Sequence, residues 1–211
     1  NMLKHIAQTT RIGNLLEMKH FGSELAKDTM KYLSINNNNN MHALFLLSGE
    51  AGVGKTTFTQ GFINECISAN NQSENQSIRM EENQKHHHIP SPTFCLINEY
   101  WCKTLKIPIN HMDLYRLEHS TKDVLETIEI PSIFNNAITL VEWPDRLFHA
   151  GIEVPKPYIN LHIEYDNDDE NKCNNVKDTN RNKEEHEKEK YNFDFDTYHN
   201  QTRIIHICEE K

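Results

Sequence analysis

Glycine is scarce in this chain, with seven among 211 residues. Basic charge is also in deficit: 22 Lys and Arg face 31 Asp and Glu, for a net charge of −9. That balance argues against a protein that grips phosphodiester backbones by itself, because such grip needs clustered cations to displace counterions. If nucleic acid matters here, a partner holds it. Paired-cysteine motifs are missing as well. The five cysteines (Cys66, Cys95, Cys102, Cys173 and Cys208) are odd in number and show no CxxC spacing. They suggest neither a disulfide framework nor a zinc site, and a reducing compartment fits them best. No run approaches 18 apolar residues, so no membrane-spanning helix is expected. The sequence begins with Asn, which leaves an upstream targeting segment open.

What is present points to one domain over 1–211, since 36% hydrophobic residues suffice for one sizeable core. Two stretches, 70–88 and 166–192, are dominated by Asn, Lys, Glu and His. They hold too few apolar side chains to offset the entropy of ordering, and read as disordered insertions. The run "NNNNN" at 36–40 reads as a linker. Without these, roughly 160 residues remain, an ordinary domain size.

Apolar spacing predicts a helix over 22–33, drawing on Leu15, Leu16, Phe21, Leu25, Met30 and Leu33 in the surrounding segment. "HALFLLSG" is a short continuous apolar run, the pattern of a strand buried on both faces. Residues 55–69 predict a helix with Phe58, Phe62, Ile63 and Cys66 on one face. Strand-like segments follow at 93–101, 108–113, 137–143, 158–165 and 203–208, with one convincing helix at 121–128 between the middle ones. Strand and helix do not alternate strictly, so the expected fold is α/β with a mixed parallel and antiparallel sheet. The last two strands flank the charged insertion and predict a hairpin.

Three of the seven glycines fall within 49–54. "GEAGVGKT" at 49–56 matches GxxxxGK[ST], follows a predicted buried strand and opens a predicted helix, as a phosphate-binding loop requires. Glycines let the backbone turn so that its N–H groups approach phosphate oxygens, and the helix adds its positive end. Gly49, Glu50, Ala51, Gly52, Val53, Gly54, Lys55, Thr56 and Thr57 are therefore the candidate nucleotide-binding residues. Lys55 would reach the β- and γ-phosphates, and the Thr56 hydroxyl would bind Mg²⁺. The NK pairs at Asn171 and Asn182 lack the Asp of a guanine-reading NKxD stretch, which favours ATP.

Three further clusters follow in order. "IPSPTF" sets Ser91 and Thr93 around Pro92; "HMDLYRL" ends a strand with Asp113; "LVEWPDR" ends another with Glu142 and Trp143. Strand ends are where ligands gather in open α/β sheets. Plainer readings stay open: Asp113 as a turn cap, Glu142 as an exposed strand-end carboxylate, Ser91 and Thr93 as turn formers, Trp143 as core. Tyr115 and Arg116 could be docking residues, Arg116 equally a surface ion-pair partner. The "HHH" at 86–88 sits in low-complexity sequence, which disfavours a metal role. His111 and Asp113 share a strand face, so a hydrogen-bonded pair is one expectation and core packing for His111 the other.

The order GxxxxGKTT, SPT, HxDLYRL, VEWP, with "TIEIPSIF" and "RIIHI" between and after, resembles the TsaE (YjeE) family, P-loop ATPases of tRNA threonylcarbamoyladenosine modification. The resemblance implies a P-loop NTPase-like three-layer fold. It implies that Glu142 joins Thr56 in the Mg²⁺ shell, that Asp113 is the catalytic carboxylate acting on water, that Thr93 senses the γ-phosphate, and that Trp143 lies near the nucleotide. It implies an ATP-hydrolysing accessory subunit docking on TsaD and TsaB type proteins, with tRNA reached only through them. A small P-loop kinase, or an ATP-gated binding module with negligible turnover, is the alternative. Glu50 and Phe94 depart from the family's usual Asp and Tyr. The insertions resemble the coding bias of AT-rich genomes, so the expected address is cytoplasmic or organellar, a plastid included.

Overall fold

The computed structural model describes residues 9–36, 41–68, 89–92, 95–117, 125, 130–166 and 201–210. The insertion at 70–88 lies outside them, as do 166–192 apart from Asp166, the linker apart from Asn36, and the helix at 121–128 apart from Leu125. Thr93, Phe94 and the histidine triplet are outside them too.

The elements run β1 (Thr9–Ile12), α1 (Leu15–Ile35), β2 (Ala43–Ser48), α2 (Lys55–Ser68), β3 (Ile97–Cys102), β4 (Ile107–Asp113), α3 (Ile130–Ile133), β5 (Ile138–Glu142), α4 (Asp145–His149), β6 (Tyr158–Tyr165) and β7 (Arg203–Glu210). The strands form one seven-stranded sheet in the order β1-β7-β6-β2-β5-β4-β3. Its centre, β6-β2-β5-β4, is parallel. The flanking pairs β3/β4, β6/β7 and β1/β7 are antiparallel. The mixed α/β sheet expected from the broken alternation is thus observed, with helices on both faces.

Position decides which strands are apolar throughout. β2 and β5 lie mid-sheet under helices on both faces, and "ALFLLS" and "ITLVE" are buried almost end to end. Phe45 points toward α2, where its ring meets Phe62 at 5.0 Å between centroids. Leu44 and Leu46 point the other way, into a second core with Leu125, Ile130, Phe134 and Leu147. Burying each such side chain contributes about 1.5–3 kcal/mol.

Helix α1 is longer than expected, beginning at Leu15 rather than at 22. Its start is fixed by Asn14, whose side chain accepts from the Glu17 N–H at 2.9 Å, while Glu17 accepts from the Gly13 N–H at 2.8 Å. Two otherwise unsatisfied donors are thereby engaged, as in a capping box. Leu16, counted among the apolar positions, is 77% exposed. Asn36, assigned to the linker, instead closes the helix by donating its backbone N–H and its side-chain amide to the Tyr32 carbonyl. Gly22, the first residue of the expected helix, is where α1 crosses α2. A Cβ there would lie 2.2 Å from the Phe58 carbonyl oxygen, and one on Gly61 would lie 1.9 Å from that of Lys19. The two glycines bring the helix backbones into contact.

Strand β1 was not anticipated. Four residues, "TTRI", pair with β7, and Arg11 holds Asp166 at 3.0 Å. Asp166, counted with the second insertion, is buried and belongs to the sheet margin.

Candidate functional site

The parallel register builds the site. Glu142, the last residue of β5, pairs with Leu47 of β2 on one side and Asp113 of β4 on the other. Both carboxylates therefore stand on one rung, beside the point where β2 leaves the sheet and enters the loop at Gly49. With β5 and β6 on either side of β2, this crevice is where ligands bind in open α/β sheets.

The loop has the backbone its glycines permit. Gly49, Gly52 and Gly54 take φ of 135°, 81° and 113°. Gly49 has a second constraint, since a Cβ there would come within 2.1 Å of the Ile163 carbonyl oxygen on β6. Helix α2 begins at Lys55, with its positive end toward the cleft. The Lys55 ammonium is buried and donates to the carbonyls of Gly49 and Glu50, both at 2.7 Å. It also sits 3.9 Å from the centre of the Trp143 ring. Burial pushes the Lys55 pKa down, and Glu142, Asp113, Asp145 and Glu50 pull it partly back.

Glu142 is only 2% exposed and held from both sides. One oxygen accepts from the Thr56 hydroxyl and the other lies against His111 Nε2, each at 2.8 Å. Toward an ionised carboxylate Nε2 acts as the donor. His111 Nδ1 has no partner among the described residues, which suits a ring held by this one bond. Asp113 accepts from the Ser91 hydroxyl at 3.1 Å and from the Tyr115 backbone N–H at 3.0 Å. The turn-capping role of Asp113 is real, and it coexists with a place in the cleft wall. Trp143 has φ of 63°, in a left-handed region costly for a bulky residue. Its ring lies 5.0 Å from that of Tyr115.

Together Ala51, Gly52, Gly54 and the first three residues of α2 face Ser91, Asp113, Tyr115, Glu142 and Trp143 across a cleft of about 300 Å³. The family model described as "Threonylcarbamoyl adenosine biosynthesis protein TsaE" matches residues 12–174, which contain every one of these positions. The chain belongs to the TsaE family. It is similar to proteins named "tRNA threonylcarbamoyladenosine biosynthesis protein TsaE" from several bacteria. Identity to that of Rickettsia bellii is 33% over 131 residues, covering 62% of this chain and 75% of the relative. To that of Haemophilus influenzae it is 30% over 164 residues, covering 77% and 85%. To that of Nostoc sp. it is 34% over 131 residues, covering 58% and 63%. The family's role is in tRNA threonylcarbamoyladenosine biosynthesis.

Within this TsaE frame, the sequence-derived candidates fall into three groups. Ala51, Gly52, Gly54, Lys55, Thr56, Thr57, Asp113, Glu142 and Trp143 line one cleft, whereas Gly49, Glu50 and Val53 do not line it and the Val53 side chain joins the core. Thr93 lies outside the described residues, while its neighbour Ser91 reaches Asp113. His111 is core-buried, as one expectation held, but its partner is Glu142 rather than Asp113. The expectation of an exposed Glu142 fails, and Tyr115, read as a surface docking residue, lines the cleft while staying 48% exposed. Sequence reasoning gave no role to Arg203, the first residue of β7. Its Nε donates to the Val53 carbonyl at 2.9 Å. The signal available was a lone Arg at the head of "RIIHIC", on the same strand face as Ile205 and Ile207. No helix among the described residues is long and apolar enough to cross a membrane.

Proposed function

We propose that this TsaE-family chain is an ATP-hydrolysing accessory subunit of the tRNA threonylcarbamoyladenosine machinery, docking on TsaD and TsaB type proteins and supporting their turnover. The observation that carries the reading is the shared rung: two buried carboxylates from separate strands stand beside a glycine-rich loop whose following helix begins with Lys and Thr. A loop alone binds, whereas turnover needs acids near the outermost phosphate.

The residues fit Mg²⁺ with ATP as substrate. Thr56 and Glu142, the two expected to hold the ion, are already joined by a hydrogen bond. No group of three or more His, Cys, Asp or Glu among the described residues could hold a metal ion by itself. That suits an ion that takes one or two protein ligands and completes its shell with phosphate oxygens and water. When bound, Mg²⁺ neutralises charge on the phosphates. The protein's own share is separable from that. Loop N–H groups orient the triphosphate, and Lys55, which donates to the Gly49 and Glu50 carbonyls, has a further donor for a phosphate oxygen. Asp113, fixed by Ser91 and Tyr115, orients the attacking water and accepts its proton as the γ-phosphoryl group passes from ADP to the water oxygen.

The test is steady-state phosphate release, alone and with TsaD and TsaB type partners. Release that rises on partner addition and vanishes in Lys55→Ala supports the reading. Labelled phosphate transferred to an added nucleoside monophosphate, with no free phosphate, overturns it in favour of a kinase.

A further inference from the structure

The geometry points to Arg203 as a positioning residue for the phosphate loop, a tether that keeps the loop set for an anion whether or not one is present. This rests on the reading above, in which the loop holds the phosphates of ATP.

A loop that turns successive N–H groups toward an anion turns carbonyls away from it, and buried carbonyls need donors. Two different cations answer that need here. Lys55 donates to Gly49 and Glu50, and Arg203 donates to Val53. The first arrangement is altered by binding, because an ammonium drawn to phosphate shares its three donors between phosphate and the two carbonyls. The second is not, because Arg203 belongs to a sheet strand rather than to the cleft wall.

Arg203 is fully buried, its guanidinium 5.3 Å from the Tyr165 ring centre, and a further N–H donates to the Gln201 carbonyl. Sinking a guanidinium is costly, and its planar fork suits holding several acceptors at once. The same hairpin touches the loop at its other end, where Gly49 rides on the Ile163 carbonyl. Strands β6 and β7 thus hold both ends of the loop segment 49–53. The bond has an electrostatic consequence as well. Val53 C=O and Gly54 N–H belong to one peptide unit, so a cation pulling on the carbonyl makes the N–H on the cleft side a stronger donor.

The test compares Arg203→Met and Arg203→Lys with Ile207→Ala, a core variant in the same strand, in the full chain. ATP affinity is measured by calorimetry with Mg²⁺ present, and amide exchange of the loop is measured without nucleotide. The expected result is an affinity loss of about tenfold in Arg203→Met, as for one charge-assisted bond. A smaller loss is expected in Arg203→Lys, which keeps the charge but not the fork. Exchange at residues 53–55 should accelerate in both, and Ile207→Ala should change neither quantity despite lower thermal stability. If Arg203→Met does not fold, Arg203→Lys decides alone. Affinity within twofold of wild type in the Arg203 variants, or an equal loss in Ile207→Ala, overturns the tether. Wild-type protein that binds no ATP sinks the proposed function instead. In that event unchanged loop exchange in Arg203→Lys still overturns the tether, and accelerated exchange upholds it.

Discussion

Asp113 accepts from Ser91 and from the Tyr115 N–H, bonds compatible with nucleotide binding, and on the proposed function its charge is what turnover draws on. Asp113→Asn should keep ATP affinity within a few-fold and lower phosphate release at least ~100-fold, in the range typical for loss of a general base. Calorimetry beside a phosphate-release assay separates the two. His111 acts at one remove, by fixing the orientation of Glu142 toward Thr56. His111→Phe should raise the Mg²⁺ concentration needed for half-maximal ATP binding by about tenfold, as loss of an orienting partner does at metal sites. At saturating Mg²⁺ the affinity should return. Lys55 makes a prediction with a sign. Its folded-state pKa is depressed, chiefly by burial, so the unfolded chain binds its proton more tightly and the ionised lysine opposes folding at neutral pH. That opposition fades as pH rises from the folded toward the unfolded pKa. Nucleotide-free wild type should therefore gain thermal stability relative to Lys55→Met as pH climbs toward the pKa of a free lysine, read as a rising difference in thermal midpoint, wild type minus variant. At the residue scale much was legible: the loop, both carboxylates and Trp143 stood out by type and by place at strand ends. The link from His111 to Glu142 did not, because spacing along one strand reports a shared face, whereas a bond to the next strand depends on register.

Among the elements, the crossing of α1 and α2 is the least tolerant contact. Gly61→Ala places a methyl group 1.9 Å from the Lys19 carbonyl oxygen, so one helix backbone has to move. A loss of about 1–3 kcal/mol is expected for such overpacking, read as a lower urea midpoint. The effect should reach the cleft, because Leu15 and Met18 of α1 pack within 3.3–3.5 Å of where a Cβ on Gly54 would be. The strands were largely readable because buried parallel strands are apolar runs with sharp ends, and β6 matches its expected span of 158–165. Helix α1 begins seven residues before the expected start at 22, because its first turns are fixed by the Asn14 cap and by packing on α2 rather than by a regular apolar stripe. Here Gly22 is the contact point, and only the partner helix reveals that. Strand β1 escaped notice for a similar reason. Four residues carry little periodicity, and their pairing with β7 spans nearly the whole chain.

For the molecule as a whole, the hairpin of β6 and β7 closes at a single place. Tyr165 pairs with Arg203, and the Asp166 N–H donates to the Thr202 carbonyl at 2.9 Å. The chain thus departs from and returns to the sheet at one point, so the geometry of the fold makes no demand on the length between. Replacing 167–200 with a short Asn-Gly turn should leave the thermal midpoint within a few degrees and ATP affinity unchanged, by scanning fluorimetry and calorimetry. A large loss in either would show that the segment contributes to the domain. The insertion read from composition, 166–192, falls between β6 and β7 in the chain. Its first residue was misassigned, because nothing local in "DNDDEN" distinguishes the Asp that pairs with Arg11 from its neighbours.

The bond from Arg203 to Val53 spans 150 positions of chain. At roughly 5–20 residues per second on the ribosome, the loop emerges several seconds or more before the strand that steadies it is made. A nascent chain that has made the loop therefore lacks this brace until β7 follows 150 positions later, and on the proposed function its grip on a nucleotide tightens only then.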